Sequence, residues 1–308
     1  DSASLPSLPK EDSLDVFFQL RKSPRLDLND KNSWRVRPDT ELHTTGSKPL
    51  MDLKSKKCPK GFWPVFTGRS FDIWMSDTGI YYAYANPKKV NSWLYKKRLN
   101  GYKSQKSVHS EFSSGYVRND NTLPCFKPRI AFQDVTNSID YRTVKAALLP
   151  PEIFCVHKAP YLLFSRGDEQ DEAFLLGVLS SIPLDWYARR FVSTNSLGFF
   201  LLNTFPIPRP SRKNPLWKRV VALSGRLASP DERFSKWAKA VGVEYGELNE
   251  QEQNNMIYEL DAIVAHLYGL SEKQLIHIFE TFHRTWNYNF RLKSVLKYYN
   301  FWKKKKKP

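Results

Sequence analysis

Cysteine is scarce in this 308-residue chain: Cys58, Cys125 and Cys155 are odd in number and widely spaced. That spacing excludes a disulfide framework and any Cys-x-x-Cys metal knuckle, and it fits a reducing compartment, so the expected location is cytoplasmic. No uninterrupted apolar run approaches the roughly 20 residues of a membrane span, and no membrane partner is expected. The six histidines show no His-Glu-x-x-His pairing and no cysteine at ligand spacing, so no metal site is expected. Glycine-dependent motifs are missing as well, with no Gly-x-Ser-x-Gly elbow, no P-loop and no Gly-x-Gly-x-x-Gly. The opening DSASLPSLPK has no initiator Met and no signal-peptide pattern, and it reads as the middle of a longer reading frame.

Acidic residues are also under-represented, with 31 Asp and Glu against 48 Lys and Arg, a formal net charge of +17. Hydrophobic residues make up 41% and aromatics 14%, which is a globular composition. Such an excess of positive charge repels itself and points to a polyanionic partner, nucleic acid before a ribosomal or membrane surface. The charge is unevenly spread. Residues 54–103 hold 11 Lys and Arg against two acids, Asp72 and Asp77, whereas residues 231–261 hold eight acids against three bases. A polarised molecule follows, with one basic face for phosphates. Within the basic stretch Arg69, Lys88, Lys89 and the run Lys96-Lys97-Arg98 alternate with Trp74, Tyr81, Tyr82, Tyr84, Trp93, Tyr95 and Tyr102. Cations of this kind anchor phosphates and aromatics stack on bases. The competing reading is that the aromatics pack a sheet and the lysines only solubilise it.

Along the chain, residues 1–33 are rich in Ser, Pro, Lys and Asp and read as a linker or N-terminal arm with one short amphipathic piece. From Trp34 to about 210, short aromatic and β-branched runs predict a mixed or antiparallel sheet, interrupted by a helix over 170–191 that Pro183 kinks or restarts. Beyond 211 the period becomes helical. Ser229 is the expected N-cap of SPDERFSKWAKAVG with Gly242 its terminator, Gly269 closes the next helix, and Ser271 with Gln274 forms a capping box. The expected architecture is α+β: a recognition domain over 34–210, then a helical subdomain over 211–308 with a basic tail.

Two stretches carry candidate chemistry. RPDTELHTTGSKPLMDLK contains Pro38-Asp39 and Asp52-Leu53-Lys54, the literal form of a PD-(D/E)xK nuclease, in which two carboxylates would hold Mg²⁺ and a lysine would steady the attacking water. The alternative is a solvated turn before an edge strand. RIAFQDVTNSIDYRTVKAALLPP, residues 129–151, crowds Arg129, Asp134, Asn137, Asp140 and Arg142 around one turn. Alternation puts Ile130 and Phe132 on one face and Arg129, Ala131 and Gln133 on the other. Arg matches guanine O6/N7, Asn matches adenine N6/N7 and Asp accepts from cytosine N4, so these side chains suit base edges. The same Asp, Thr and Asn types also bond the backbone of their own turn.

Taken in order, 41-ELHTTGSKPLMDL-53, 64-PVFTGRSF-71, 129–151, 174-FLLGVLSSIPLDWYARRFVSTNSLGFFLLNTFPIP-208 and 258-YELDAIVAHLYGLSEKQLIHIFETF-282 resemble the C-terminal target-recognition region of large adenine-specific (N6) DNA methyltransferases. These belong to type II, fused type IIG and related phage-defence restriction-modification systems. The resemblance implies double-stranded DNA as partner, with Arg129, Asp134, Asn137 and Arg142 at the interface. Packing of FLLGVLSSI and LDWYARRF by their apolar face on the sheet would leave Arg189, Arg190, Thr194 and Asn195 at the exposed C-terminal end of the helix, available to DNA. The alternative is an arginine pair that is solvated or paired with acids. S-adenosylmethionine and the Asn-Pro-Pro-Tyr loop would belong to a separate catalytic domain, because here Asn86-Pro87 is followed by Lys88-Lys89. On its own the chain is then expected to be catalytically silent. A protein-interaction subunit of a defence complex is the remaining alternative.

Overall fold

The computed structural model describes residues 6–137, 139–192, 195–282 and 288–305. Its strands are β1 (Arg35–Asp39), β2 (Met51–Asp52), β3 (Trp63–Phe66), β4 (Ala83–Ala85), β5 (Arg129–Phe132), β6 (Ala146–Leu149), β7 (Phe154–Cys155) and β8 (Tyr161–Arg166). Its helices are α1 (Ser13–Arg21), α2 (Pro87–Tyr102), α3 (Ser114–Arg118), α4 (Glu169–Leu179), α5 (Ile182–Arg189), α6 (Phe199–Asn203), α7 (Pro215–Leu227), α8 (Ser235–Val241), α9 (Glu250–Leu267), α10 (Glu272–Glu280) and α11 (Asn289–Lys305). The fold is α+β. Among the described residues no helix is long and apolar enough to cross a membrane.

Two compact units divide the chain. The sheet unit comprises 29–135 and 146–168, and the helical unit comprises 1–28, 136–145 and 169–308. This differs from the expected boundary at 210. Helices α4 and α5 are buried along most of their length and pack within the helical unit, α4 against α7 and α8 and α5 against α9 and α10. Residues 6–28 of the expected N-terminal linker are likewise part of the helical unit. Val16, Phe17 and Leu20 of α1 are buried, and the Phe17 ring stacks on Tyr187 with centroids 5.2 Å apart.

The sheet unit holds two four-stranded sheets. One runs β1-β8-β5-β6, all antiparallel, and the other runs β2-β4-β3-β7, with β3 and β7 parallel. The second sheet packs against α2, where Val65, Ala83, Ala85 and Phe154 share a core with Val90 and Leu94. Asn86 caps α2 by accepting from the Lys89 amide, and Pro87 occupies its first turn, where the missing N–H costs nothing.

In the helical unit, Ser181 caps α5 and Pro183 sits in its first turn, so the helix restarts there as expected. Gly177 of α4 lies so close to α7 that an added Cβ would meet Val220 at 2.8 Å. Gly242 and Gly269 close their helices with φ of 89° and 68°, conformations that favour glycine. Ser271 and Gln274 form the expected capping box. Ser229, however, does not cap a helix. The turn begins two residues later, at Asp231, whose side chain accepts from the Arg233 amide.

Candidate nucleic-acid interface

Helix α2 is the most cationic surface element of the sheet unit. From Thr78 to Ser110 the chain has seven Lys and Arg and no carboxylate. Val90, Leu94 and Arg98 face inward at a spacing of four. The outward positions are Lys89, Ser92, Lys96 and Asn100, with Lys103 just past the helix end. Their spacing of three and four places them on one stripe. No glutamate or aspartate lies on the helix to neutralise them. Lys88 and Lys89 stand in its first turn, where the helix dipole disfavours positive charge by about 0.3–1 kcal/mol each.

Beside this stripe a surface cleft is lined by Tyr95, Lys96, Asn100, Tyr102, Lys103 and Arg118. The Tyr95 hydroxyl donates to the Arg118 carbonyl at 3.1 Å, which ties α3 to α2. Arg98 lies over the rings of both Tyr95 and Tyr116, and its guanidinium donates to Thr122 Oγ1 and the Asn119 carbonyl. Lys97 is also turned to structural use, donating to the carbonyls of Thr40 and Glu41. All eleven cations of 54–103 except Lys97 and Arg98 are exposed.

The residues expected at the interface divide sharply. Arg69 is exposed in the helical turn 68–70 after β3, and Lys88 and Lys89 are exposed after β4. Because β3 and β4 are antiparallel, Arg69 and the lysine pair leave that sheet at opposite ends. Asp134 is mostly covered, 3.4 Å from Lys158 Nζ. The Asn137 side chain turns back on its own loop, its Oδ1 accepting from the amides of Ile139 at 2.9 Å and Asp140 at 2.8 Å. Asn195 is exposed, and its carbonyl accepts from the Thr136 amide. Thr194 lies outside the described residues.

The four arginines correct the expectation. Arg129 is 4% exposed in the sheet unit, with Nη2 donating to both carboxylate oxygens of Glu41 at 3.1 and 3.0 Å and to the Ile153 carbonyl. Both faces of β5 are covered, so alternation points Arg129 into a second interior and not toward solvent. Burial pulls its pKa down, but the charge of Glu41 outweighs that and holds the guanidinium above its usual value. Arg142 is 3% exposed in the helical unit, where it pairs with Asp185 and donates to the carbonyls of Ser180 and Ser181. Arg189 donates to the Asp140 carbonyl at 2.8 Å and lies over the Phe282 ring. Arg190 lies over Trp186 and donates to the carbonyls of Trp186, Thr281 and Phe282. Burial and the neighbouring Arg189 pull Arg190 down to about 10, which leaves it charged at neutral pH. These arginines fasten loops to cores, and their guanidiniums are not presented to a ligand.

The nuclease reading fares no better geometrically. Asp39 is on β1 and Asp52 on β2, which belong to different sheets. Asp39 faces His109 Nε2 at 3.2 Å and accepts from the Tyr161 hydroxyl. Asp52 caps its own turn, accepting from the amides of Lys54 and Ser55 and from the Ser55 hydroxyl. Among the described residues no group of three or more His, Cys, Asp or Glu is placed to hold a metal ion. Two polar side chains of the cleft escaped the sequence reading, Asn100 and Arg118. The signal for Asn100 was available in its spacing of four from Lys96. Arg118 is brought to the cleft only by tertiary packing.

No family model matches this sequence, and neither does any curated protein. Similar solved structures include the type IIG restriction endonuclease BpuSI, with a TM-score of 0.43 and 13% identity over 84% of this chain and 34% of that one. They also include the type IIL restriction-modification enzyme MmeI in complex with DNA, with a TM-score of 0.41 and 15% identity over 84% of this chain and 36% of that one. The chain therefore spans about a third of the length of those two structures.

Proposed function

We propose that this chain binds double-stranded DNA sequence-specifically, as the target-recognition part of an adenine-specific DNA methyltransferase of a restriction-modification or related phage-defence system. The single observation that carries DNA binding is the acid-free stretch 78–110, whose exposed lysines include two in the helix turn least suited to them. Such charges are self-repulsive in the free protein and favourable beside a phosphate backbone. The methyltransferase context rests on the ordered motif resemblance along 41–282.

The chain contains neither Asn-Pro-Pro-Tyr nor Gly-x-Gly-x-x-Gly. S-adenosylmethionine, which supplies the methyl group, therefore belongs in this reading to a catalytic domain or subunit outside it. The chain's own residues bind and orient the duplex. The test is to express the chain joined to its catalytic partner in a host without adenine methylation and to map N6-methyladenine across the genome. One short sequence methylated at nearly every copy supports the reading, and exchange of residues 29–168 should change that sequence. An unmethylated genome, or a methylated sequence indifferent to that exchange, overturns it.

A further inference from the structure

We infer that α2 is the helix that reads the groove, with Asn100 contacting a base edge while Lys96, Lys103 and Arg118 hold the flanking phosphates. The inference rests on the DNA-binding reading and assigns it to specific atoms. Among the described residues, the side chains of Lys96, Asn100, Lys103 and Arg118 make no hydrogen bond or ion pair within the protein, and all four are exposed around one cleft. Several other polar side chains of the same types in the sheet unit are spent internally. Arg129 is locked to Glu41, Arg98 to Thr122 and Asn119, and Asn86 to the Lys89 amide. A group of unspent donors and acceptors is what an external ligand requires.

The geometry suits a duplex. From Lys89 to Lys103 the stripe runs about 21 Å at 1.5 Å per residue, some two thirds of a helical turn of DNA. The inward face is fixed by Val90 and Leu94 in the core of the second sheet, so the helix is held as a rigid ridge. A helix of this diameter enters the major groove, where an Asn amide pairs in bidentate fashion with adenine N6 and N7. Asn100 is flanked on the stripe by Lys96 four residues before and Lys103 three after, so a base contact at Asn100 brings both cations to the groove walls. Tyr95, Leu99 and Tyr102 form the apolar flank of the cleft.

The experiment uses the whole chain and a library of 30-base-pair duplexes with a randomised centre, selected through rounds of binding and sequenced. The wild type should enrich a defined sequence that includes an invariant adenine. Asn100→Ala should lose discrimination at one adenine position by about 5- to 150-fold while keeping its affinity for random duplex. Lys96→Ala with Lys103→Ala should keep the preferred sequence and make the salt dependence shallower by about 1.8 in log–log slope. Circular dichroism of each variant checks that α2 remains folded. If the wild type binds duplex DNA but Asn100→Ala enriches the same sequence as strongly, or if the wild type enriches none, base reading by α2 is overturned and DNA binding stands. If the wild type binds no duplex, the underlying reading fails first.

Discussion

Arg142 and Asp185, 43 residues apart in the chain, form an ion pair in the interior of the helical unit. The same carboxylate accepts from the amides of Thr143 and Val144, so one aspartate at the start of α5 anchors the whole 136–145 segment. Removing one partner of a buried, hydrogen-bonded pair strands the other, at a cost of about 3–5 kcal/mol. Asp185→Asn should therefore lower unfolding stability by that order in urea titrations. A loss below about 1 kcal/mol would show that the pair is dispensable.

Arg129 makes the equivalent connection in the sheet unit, joining β5 to Glu41 and to the backbone before β7. Glu41 also accepts from the Cys155 amide at 2.7 Å. Arg129→Ala should again cost about 3–5 kcal/mol of stability, yet each correctly folded molecule should bind DNA as the wild type does. Measuring affinity against the folded fraction separates the two effects. A stable Arg129→Ala variant with weakened binding would return this residue to the interface.

Asp39 gives the fold a pH dependence. Burial pushes its carboxyl up, but the hydrogen bond and charge of His109, with the charge of Lys97 and the Thr40 amide, outweigh burial and hold it below the usual 3.8. A depressed carboxylate contributes stability that is present above the unfolded pKa and lost as pH falls through the folded one. Asp39→Asn should thus cost stability at pH 7, and the cost should shrink at pH 3.5. Equal costs at the two pH values would contradict the pairing with His109.

Gly177 tests the packing of α4 on α7. Its Cβ would meet Val220 at 2.8 Å and Ser224 at 3.1 Å, and the Ser224 hydroxyl is already committed to the carbonyls of Ala173 and Val220. Overpacking of this kind costs about 1–3 kcal/mol. Gly177→Ala should lower stability accordingly, against the gain of up to about 1 kcal/mol that alanine gives inside a helix. A neutral or stabilised variant would mean that the two helices can part without penalty.

Local periodicity revealed α4, α5 and α7 to α10, the restart at Pro183, the glycine terminators and the capping box, because each depends on neighbours within one or two turns. It missed α2, whose residues 87–102 lie where strands were expected. It did not reveal which unit a helix joins. The 136–145 excursion into the helical unit depends on Arg142 finding Asp185, a contact that no local pattern encodes. The same limit explains the arginines. Arg and Asn in a turn have the chemistry for base edges, and they equally have the chemistry to tie a loop down, as Arg142 and Asn137 do. The lysines were more legible: a long acid-free run has few internal partners, so most of its charge remains outside.

The most direct test of the account is the binding of this chain to a labelled 30-base-pair duplex, followed by fluorescence anisotropy between 50 and 200 mM salt. If Lys96, Lys103 and Arg118 neutralise phosphates, log affinity should fall against log salt with a slope of about −2.7. No saturable binding at the lowest salt, or an affinity indifferent to salt, would contradict it.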